Sequence, residues 1–221
     1  MITPRLQSIL DMSDKAAVTA DIGTDHAYIP IELVRSGMSE KAIASDIKEG
    51  PLEIARRNIS EAGLEDKIET RPGAGLSVVA PGEADQIIIA GMGGEMIESI
   101  IKDDIKTARA SRLLLQPMNS QYELRRFLIE NGFRITGEDI AVEGFKVYNI
   151  IAVESGSQKP FERDIDYHLP PYLKGHPLYG QLLAKKRREF EKIIRGLERS
   201  KAPDNERLEK YRGLLKEMTK S

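Results

Sequence analysis

The sequence predicts an α/β fold, a mostly parallel sheet closed by a β-hairpin and followed by two long helices. Three observations carry this. Short apolar runs alternate with helical patterns from Ala16 to Asn131. The period then changes, and Phe133 to Glu143 and Phe145 to Glu154 read as consecutive strands around Gly144. Beyond Gly156 the apolar residues fall at alternating spacings of four and three, as in paired helices.

The first unit is Ala17-Val-Thr-Ala-Asp-Ile-Gly-Thr-Asp-His-Ala-Tyr-Ile-Pro30. An apolar run from Ala16 to Ile22, a break at Gly23 and a helical pattern through Tyr28, Ile31, Leu33 and Val34 read as strand, tight turn and helix. Ala42 to Asp46 is a second strand. The helix after it begins near Glu49, carries Pro51 in its first turn and stops at Gly63. Lys67 to Arg71 and Asp85 to Ala90 are the third and fourth strands, the fourth apolar enough to be central. Gly91-Met-Gly-Gly94 breaks that strand, and a helix follows to about Lys102. Arg112 to Gln116 is a fifth strand, stopped by Pro117, and Gln121 to Asn131 a helix. Gly156 to His176, with three of its residues proline, reads as a linker or docking segment. Two helical stretches follow, split at Ala202-Pro203, with Asp204 as the N-cap of the second. Tyr179, Leu183, Lys186, Phe190, Ile193, Leu197 and Ser200 form the expected seam of the first, and Leu208, Tyr211, Leu215 and Met218 that of the second. The short break favours an antiparallel coiled-coil hairpin. Two parts are therefore expected, 1–155 and 156–221.

The first turn indicates a ligand class. Gly23 lets a ligand approach the backbone, but Asp21 and Asp25 put two carboxylates where a pyrophosphate would want none. A cationic ligand suits the loop better, and S-adenosylmethionine carries an ammonium and a sulfonium. Asp46, ending the second strand, can bond both hydroxyls of a ribose.

Composition excludes several classes. The chain has no Cys, so neither a disulfide framework nor a thiolate metal site is available, which fits a reducing cytoplasm. Three separated His, at 26, 168 and 176, argue against a His-based metal site. No basic and apolar leader and no apolar run of membrane-spanning length are visible. The charge is split. Residues 156–221 carry 16 Lys and Arg against 10 Asp and Glu, and the remainder 17 against 25. An acidic body with a basic tail points to a polyanionic partner.

Asp21-Ile-Gly-Thr-Asp-His-Ala-Tyr-Ile-Pro30, Ala90-Gly-Met-Gly-Gly94 and Gln116-Pro-Met-Asn119 resemble the motifs of the bacterial TrmK family. Its members are S-adenosylmethionine-dependent enzymes that methylate N1 of adenine 22 in tRNA. The resemblance covers the whole chain and implies a class I methyltransferase, Rossmann-like sheet. It implies that Asp21 and Gly23 flank the methionine moiety, Asp46 holds the ribose and Ile47 packs on adenine. Gly73 and Gly75 would sit near the adenine edge. Gly91, Met92 and Gly93 would bring the acceptor beside the sulfonium, and Arg5 and Leu6 would cover the cofactor. One departure is the first loop, where many class I enzymes carry Gly-x-Gly-x-Gly. Here only Gly23 remains, which leaves Asp25 and His26 for chemistry.

Methylation at N1 needs positioning and stabilisation of a cationic product. Asp25 is the first candidate for that charge and His26 the second. Gln116 and Asn119 could bond the adenine edge, and Tyr28, Tyr148 or Phe145 could stack on an extruded base. Lys185, Lys186, Arg187, Arg188, Lys192, Arg195 and Arg199 make a basic rod suited to tRNA phosphates. A rival use of those helices is dimerisation. Other rivals are a methyltransferase on another RNA or a small molecule, and a binding module without activity.

Overall fold

The computed structural model describes residues 2–200, 202 and 204–218. Seven strands form one sheet: β1 (Ala16–Ile22), β2 (Ser39–Asp46), β3 (Ile68–Pro72), β4 (Gln86–Met92), β5 (Arg112–Pro117), β6 (Phe133–Glu143) and β7 (Lys146–Ser155). Their order is β3-β2-β1-β4-β5-β7-β6, so β3 and β6 are the edges. The first five strands are parallel, and β7 inserts antiparallel between β5 and β6. Strands are added leftward from β1 and then rightward from β4. The crevice between those two strands is where such sheets take ligands.

Helices cover both faces. On one lie α1 (Pro4–Asp11), α2 (Tyr28–Arg35) and α3 (Glu49–Glu61); on the other α4 (Gly94–Asp103), α5 (Ile105–Arg109) and α6 (Gln121–Glu130). Ile87, Ile88 and Ile89 of β4 are fully buried, as a strand packed on both faces requires. In the short α1, Leu6, Ile9 and Leu10 share one apolar face. It starts because the Thr3 side chain accepts from the Leu6 N–H and Pro4 opens the first turn. Ile9 then anchors it beside Ala141 and Tyr148 of the hairpin.

The proline-rich segment is folded and docked. It forms α7 (Asp164–His168) and a 3-10 turn, Pro171–Leu173, and buries Ile165, Leu169 and Leu173. An internal ion pair fastens it. Arg125 of α6 forks onto Glu138 of β6 at 2.7 and 2.6 Å and also donates to the Tyr167 carbonyl at 2.8 Å. The Tyr172 hydroxyl donates to Glu138 at 2.6 Å. Both charged side chains are fully buried, so removing one partner would cost about 3–5 kcal/mol.

The tail helices are α8 (Tyr179–Glu198) and α9 (Asn205–Met218), and Asp204 caps α9 by accepting from the Arg207 N–H at 3.0 Å. Their seam differs from the expected one. Leu182, Lys186 and Phe190 are its buried positions in α8, and Leu208, Leu214 and Met218 in α9. Leu183 and Leu215 are only partly buried. The seam is also shared with the body, because Ile140 and Val147 of the β-hairpin join the same cluster. A third apolar surface turns the helices off a strict two-helix register.

Candidate active site

The ends of β1 and β4 build the site from glycine and methionine. Gly23 holds φ +80°, and a Cβ there would lie 2.0 Å from the Met92 methyl. The Met92 side chain therefore rests on the Gly23 backbone, and two cavities adjoin there, with Gly23 lining both.

The larger part has about 690 Å³ and is bounded by Asp46, Ile47, Gly73, Gly75, Met92 and Gly93. Ile47 and Met96 are exposed apolar walls, and Ile100 closes the floor under Gly75. Asp46 does two jobs. Its Oδ1 accepts the Lys48 N–H at 2.7 Å, which fixes the entry to α3. Its Oδ2 has no donor among the described residues and borders the crevice. Glycine backbone, apolar walls and carboxylates at Asp46, Asp103 and Asp104 match the shape and polarity of a nucleoside whose hydroxyls and amine are donors.

The smaller part, about 400 Å³, is polar and brings together Arg5, Leu6, Asp21, Asp25, His26 and Gly91. Burial pushes the Asp21 carboxyl up to about 6, against a Thr24 hydrogen bond and the Arg5 charge, which pull it down. Arg5 donates to Gln116 Oε1 at 2.9 Å and lies over the Tyr148 ring. Its backbone N–H donates to Glu143 at 2.9 Å. Asp25 is 71% exposed and meets His26 Nε2 at 3.1 Å, and His26 stacks on Tyr28 with centroids 5.1 Å apart. Thr24 and Glu143 also belong to this environment, as Met96 does to the larger one, and none of the three was singled out from the sequence. Thr24 could have been noticed as the one small hydroxyl between two loop acids; the other two left no local signal.

Gln116 and Asn119 differ from expectation. Gln116 is fully buried, and its Oε1 accepts both Arg5 and the Gly91 N–H, so it braces the site rather than facing a base. Asn119 is exposed, but its Oδ1 accepts the Gly94 N–H at 3.1 Å, which leaves its amide nitrogen for a ligand. Gly94 permits this approach: a Cβ there would meet the Ser120 carbonyl oxygen at 2.7 Å. Of the aromatic candidates, Tyr28 borders the polar part and Tyr148 is buried under Arg5. Phe145 is exposed on the hairpin turn.

The basic rod also needs correction. Lys186 is only 5% exposed, because it occupies the apolar seam. Lys185 is partly buried and donates to the Val147 carbonyl at 2.7 Å; burial holds its ammonium below the usual range. Neither stands free for a phosphate. Arg187, Arg188, Lys192, Arg195 and Arg199 are exposed. Four of them, from Arg188 to Arg199, recur at spacings of four, three and four, which makes one stripe about 17 Å long.

A model of the methyltransferase domain matches residues 2–151. A Bacillus subtilis protein named tRNA (adenine(22)-N(1))-methyltransferase is 37% identical over 189 residues, 84% of this chain and 76% of its own length. A Streptococcus pneumoniae protein solved with S-adenosyl-L-methionine bound superposes with a TM-score of 0.87 at 32% identity, covering 100% of this chain and 99% of that one. Mycoplasma capricolum TrmK, solved with S-adenosyl-homocysteine, gives a TM-score of 0.83 at 25% identity, with 100% and 97% covered. The fold is matched over its whole length, helical tail included, and the chain belongs to the TrmK family of bacterial tRNA (adenine(22)-N1)-methyltransferases.

Proposed function

We propose that this protein methylates N1 of adenine 22 in tRNA, with S-adenosyl-L-methionine as donor. The carrying observation is the pair of cavities that adjoin at Gly23, one nucleoside-shaped and one polar. Asp46 would take the ribose, Ile47 the adenine face, and the Asp21 carboxylate the ammonium. Bound there, S-adenosylmethionine supplies an electrophilic methyl group on a sulfonium.

The acceptor side asks little of the protein. Neutral adenine already has a lone pair at N1, so positioning accounts for much of the rate. Asp25 stabilises the positive charge that develops on the ring, or takes a proton from the exocyclic amine. The stacked His26–Tyr28 pair offers a flat wall for an extruded base. The Asn119 amide nitrogen donates to the base edge. Arg187, Arg188, Lys192, Arg195 and Arg199 hold phosphates, so tRNA binding falls steeply with salt.

Bulk tRNA incubated with labelled cofactor should yield 1-methyladenosine, and a transcript with guanine at position 22 should take up no label. Label in any other nucleoside, or none in tRNA, would overturn the proposal. Reversing charge at Arg188, Lys192 and Arg195 should weaken tRNA binding and flatten its log–log salt dependence by about three. An unchanged slope removes the stripe from the interface.

A further inference from the structure

Lys186 is a cation inside an apolar seam. A lysine that is 5% exposed between Leu182 and Phe190 is retained only with partners that satisfy its donors. Its Nζ donates to Glu189 at 2.9 Å and to Gln121 Oε1 at 3.1 Å. Gln121 opens α6 immediately after the Pro117–Ser120 turn, and is itself buried. Its Nε2 donates to the Pro117 carbonyl at 3.3 Å.

The chemistry of these groups gives the chain a direction. An ammonium has donors only, whereas a glutamine amide has one end of each kind. Lys186 therefore turns the Gln121 oxygen toward the tail, and the amide nitrogen must face Pro117. The same turn is held from the front by β4: the Met118 N–H donates to the Met92 carbonyl at 2.8 Å, and Asn119 accepts from Gly94. Proline lacks an N–H, and Ser120 sits at φ +50°, a conformation its side chain disfavours. The turn thus depends on outside support, and its rear support comes from the tail.

We propose that Lys186 is a positioning residue for methyl transfer, orienting Gln121 and through it the Pro117–Asn119 turn against the acceptor. The proposal rests on the adenine-N1 reading of the crevice. It also gives α8 two separate roles, an exposed stripe for phosphates and a buried lysine for geometry.

Two substitutions test it. Lys186→Met keeps length and removes the donors. Gln121→Glu keeps shape and still satisfies Lys186, but cannot donate to Pro117. Wild-type formation of 1-methyladenosine at position 22 is measured first, so failure of the underlying reading shows there. Single-turnover rates at saturating cofactor and tRNA should then fall about tenfold in both variants. The Kd for tRNA should stay within about twofold, since no phosphate contact is lost. The melting temperature of Lys186→Met should fall only by a few degrees, because the buried Gln121 oxygen loses its donor while Glu189 keeps Lys185 nearby, and rates are therefore compared well below that temperature. A wild-type rate in either variant overturns the proposal. So does loss of tRNA affinity with an unchanged rate, which would make Lys186 a phosphate contact. A rate loss that merely tracks a fall in melting temperature would make it a packing residue.

Discussion

The two parts of the crevice share Gly23 and little else. One is wide, walled by Ile47, Met92 and Met96, and carries Asp46 at its rim. The other is smaller and gathers Arg5, Asp21, Asp25 and His26. The difference separates binding from chemistry. Apolar enclosure and hydrogen-bonding carboxylates suffice to hold a nucleoside, whereas a reaction that creates a cation needs fixed charge near the acceptor. Substitutions on the two sides should therefore fail differently.

The largest effect is expected on the wide side. Asp46→Ala should weaken cofactor binding roughly 30-fold, about 2 kcal/mol, with loss of charge-assisted bonds to two hydroxyls. Calorimetry showing unchanged affinity would remove Asp46 from the site. On the polar side, Asp25→Asn should leave cofactor affinity intact while the single-turnover rate falls roughly 20-fold. That is below the usual value for a buried electrostatic group, because Asp25 is exposed. Equal rates in the two proteins would end its role as the charge-stabilising group.

Asp21 joins the two sides through pH. Its carboxyl titrates near 6 in the folded chain, above the ordinary 3.8. The native state therefore holds the extra proton between those values, and stability falls as pH rises through that window. Cofactor affinity should move the opposite way. An ammonium favours the carboxylate, so binding should weaken up to about tenfold from pH 7 to pH 5. Asp21→Asn should abolish this pH dependence and raise the melting temperature at pH 7; a pH slope that survived it would belong to another group. The smallest effect is on the wall. Ile47→Ala should weaken the cofactor by about threefold without changing the rate at saturation, since an exposed side chain has less contact to lose.

What the sequence disclosed follows the same line. The β1–Gly23–α2 turn was legible because strand period, glycine and acids lie within ten residues. The crevice wall contributed by Gly73 and Gly75 needed the family resemblance. Local patterns failed wherever a partner was distant. The segment holding Ile165 and Leu169 read as linker or docking without a choice between them, because the surfaces these residues cover belong to the β-hairpin and tail. Gln116 looked like a base contact because nothing near it in sequence shows Arg5 arriving from 111 positions away. Lys186 is the most instructive case. Its place in the heptad pattern already put it inside, yet its charge class suggested the surface, and the pattern prevailed. The Thr3-Pro4 start of α1 was a capping signal present in the sequence, and Leu6, Ile9 and Leu10 mark one face, but eight residues hold that spacing only once.

The sheet has two free edges, and both are closed to a further strand. At β3 the strand is five residues long, ends in Pro72, and carries Arg71 paired with Glu69 and Glu83 at 2.8 and 2.7 Å. At β6 the register shifts between Ile135 and Gly137, and Gln158 accepts the Ile135 N–H at 2.9 Å. A copy of the chain approaching either edge would meet charge, proline or an occupied donor instead of a regular row of N–H and C=O groups. With Ile87 to Ile89 at the centre, the sheet contains a segment that would readily template amyloid-like stacking if it were uncovered. The guarded edges keep that hazard confined to the unfolded chain. Conditions that open the fold, rather than high concentration of the native protein, should therefore set the onset of aggregation.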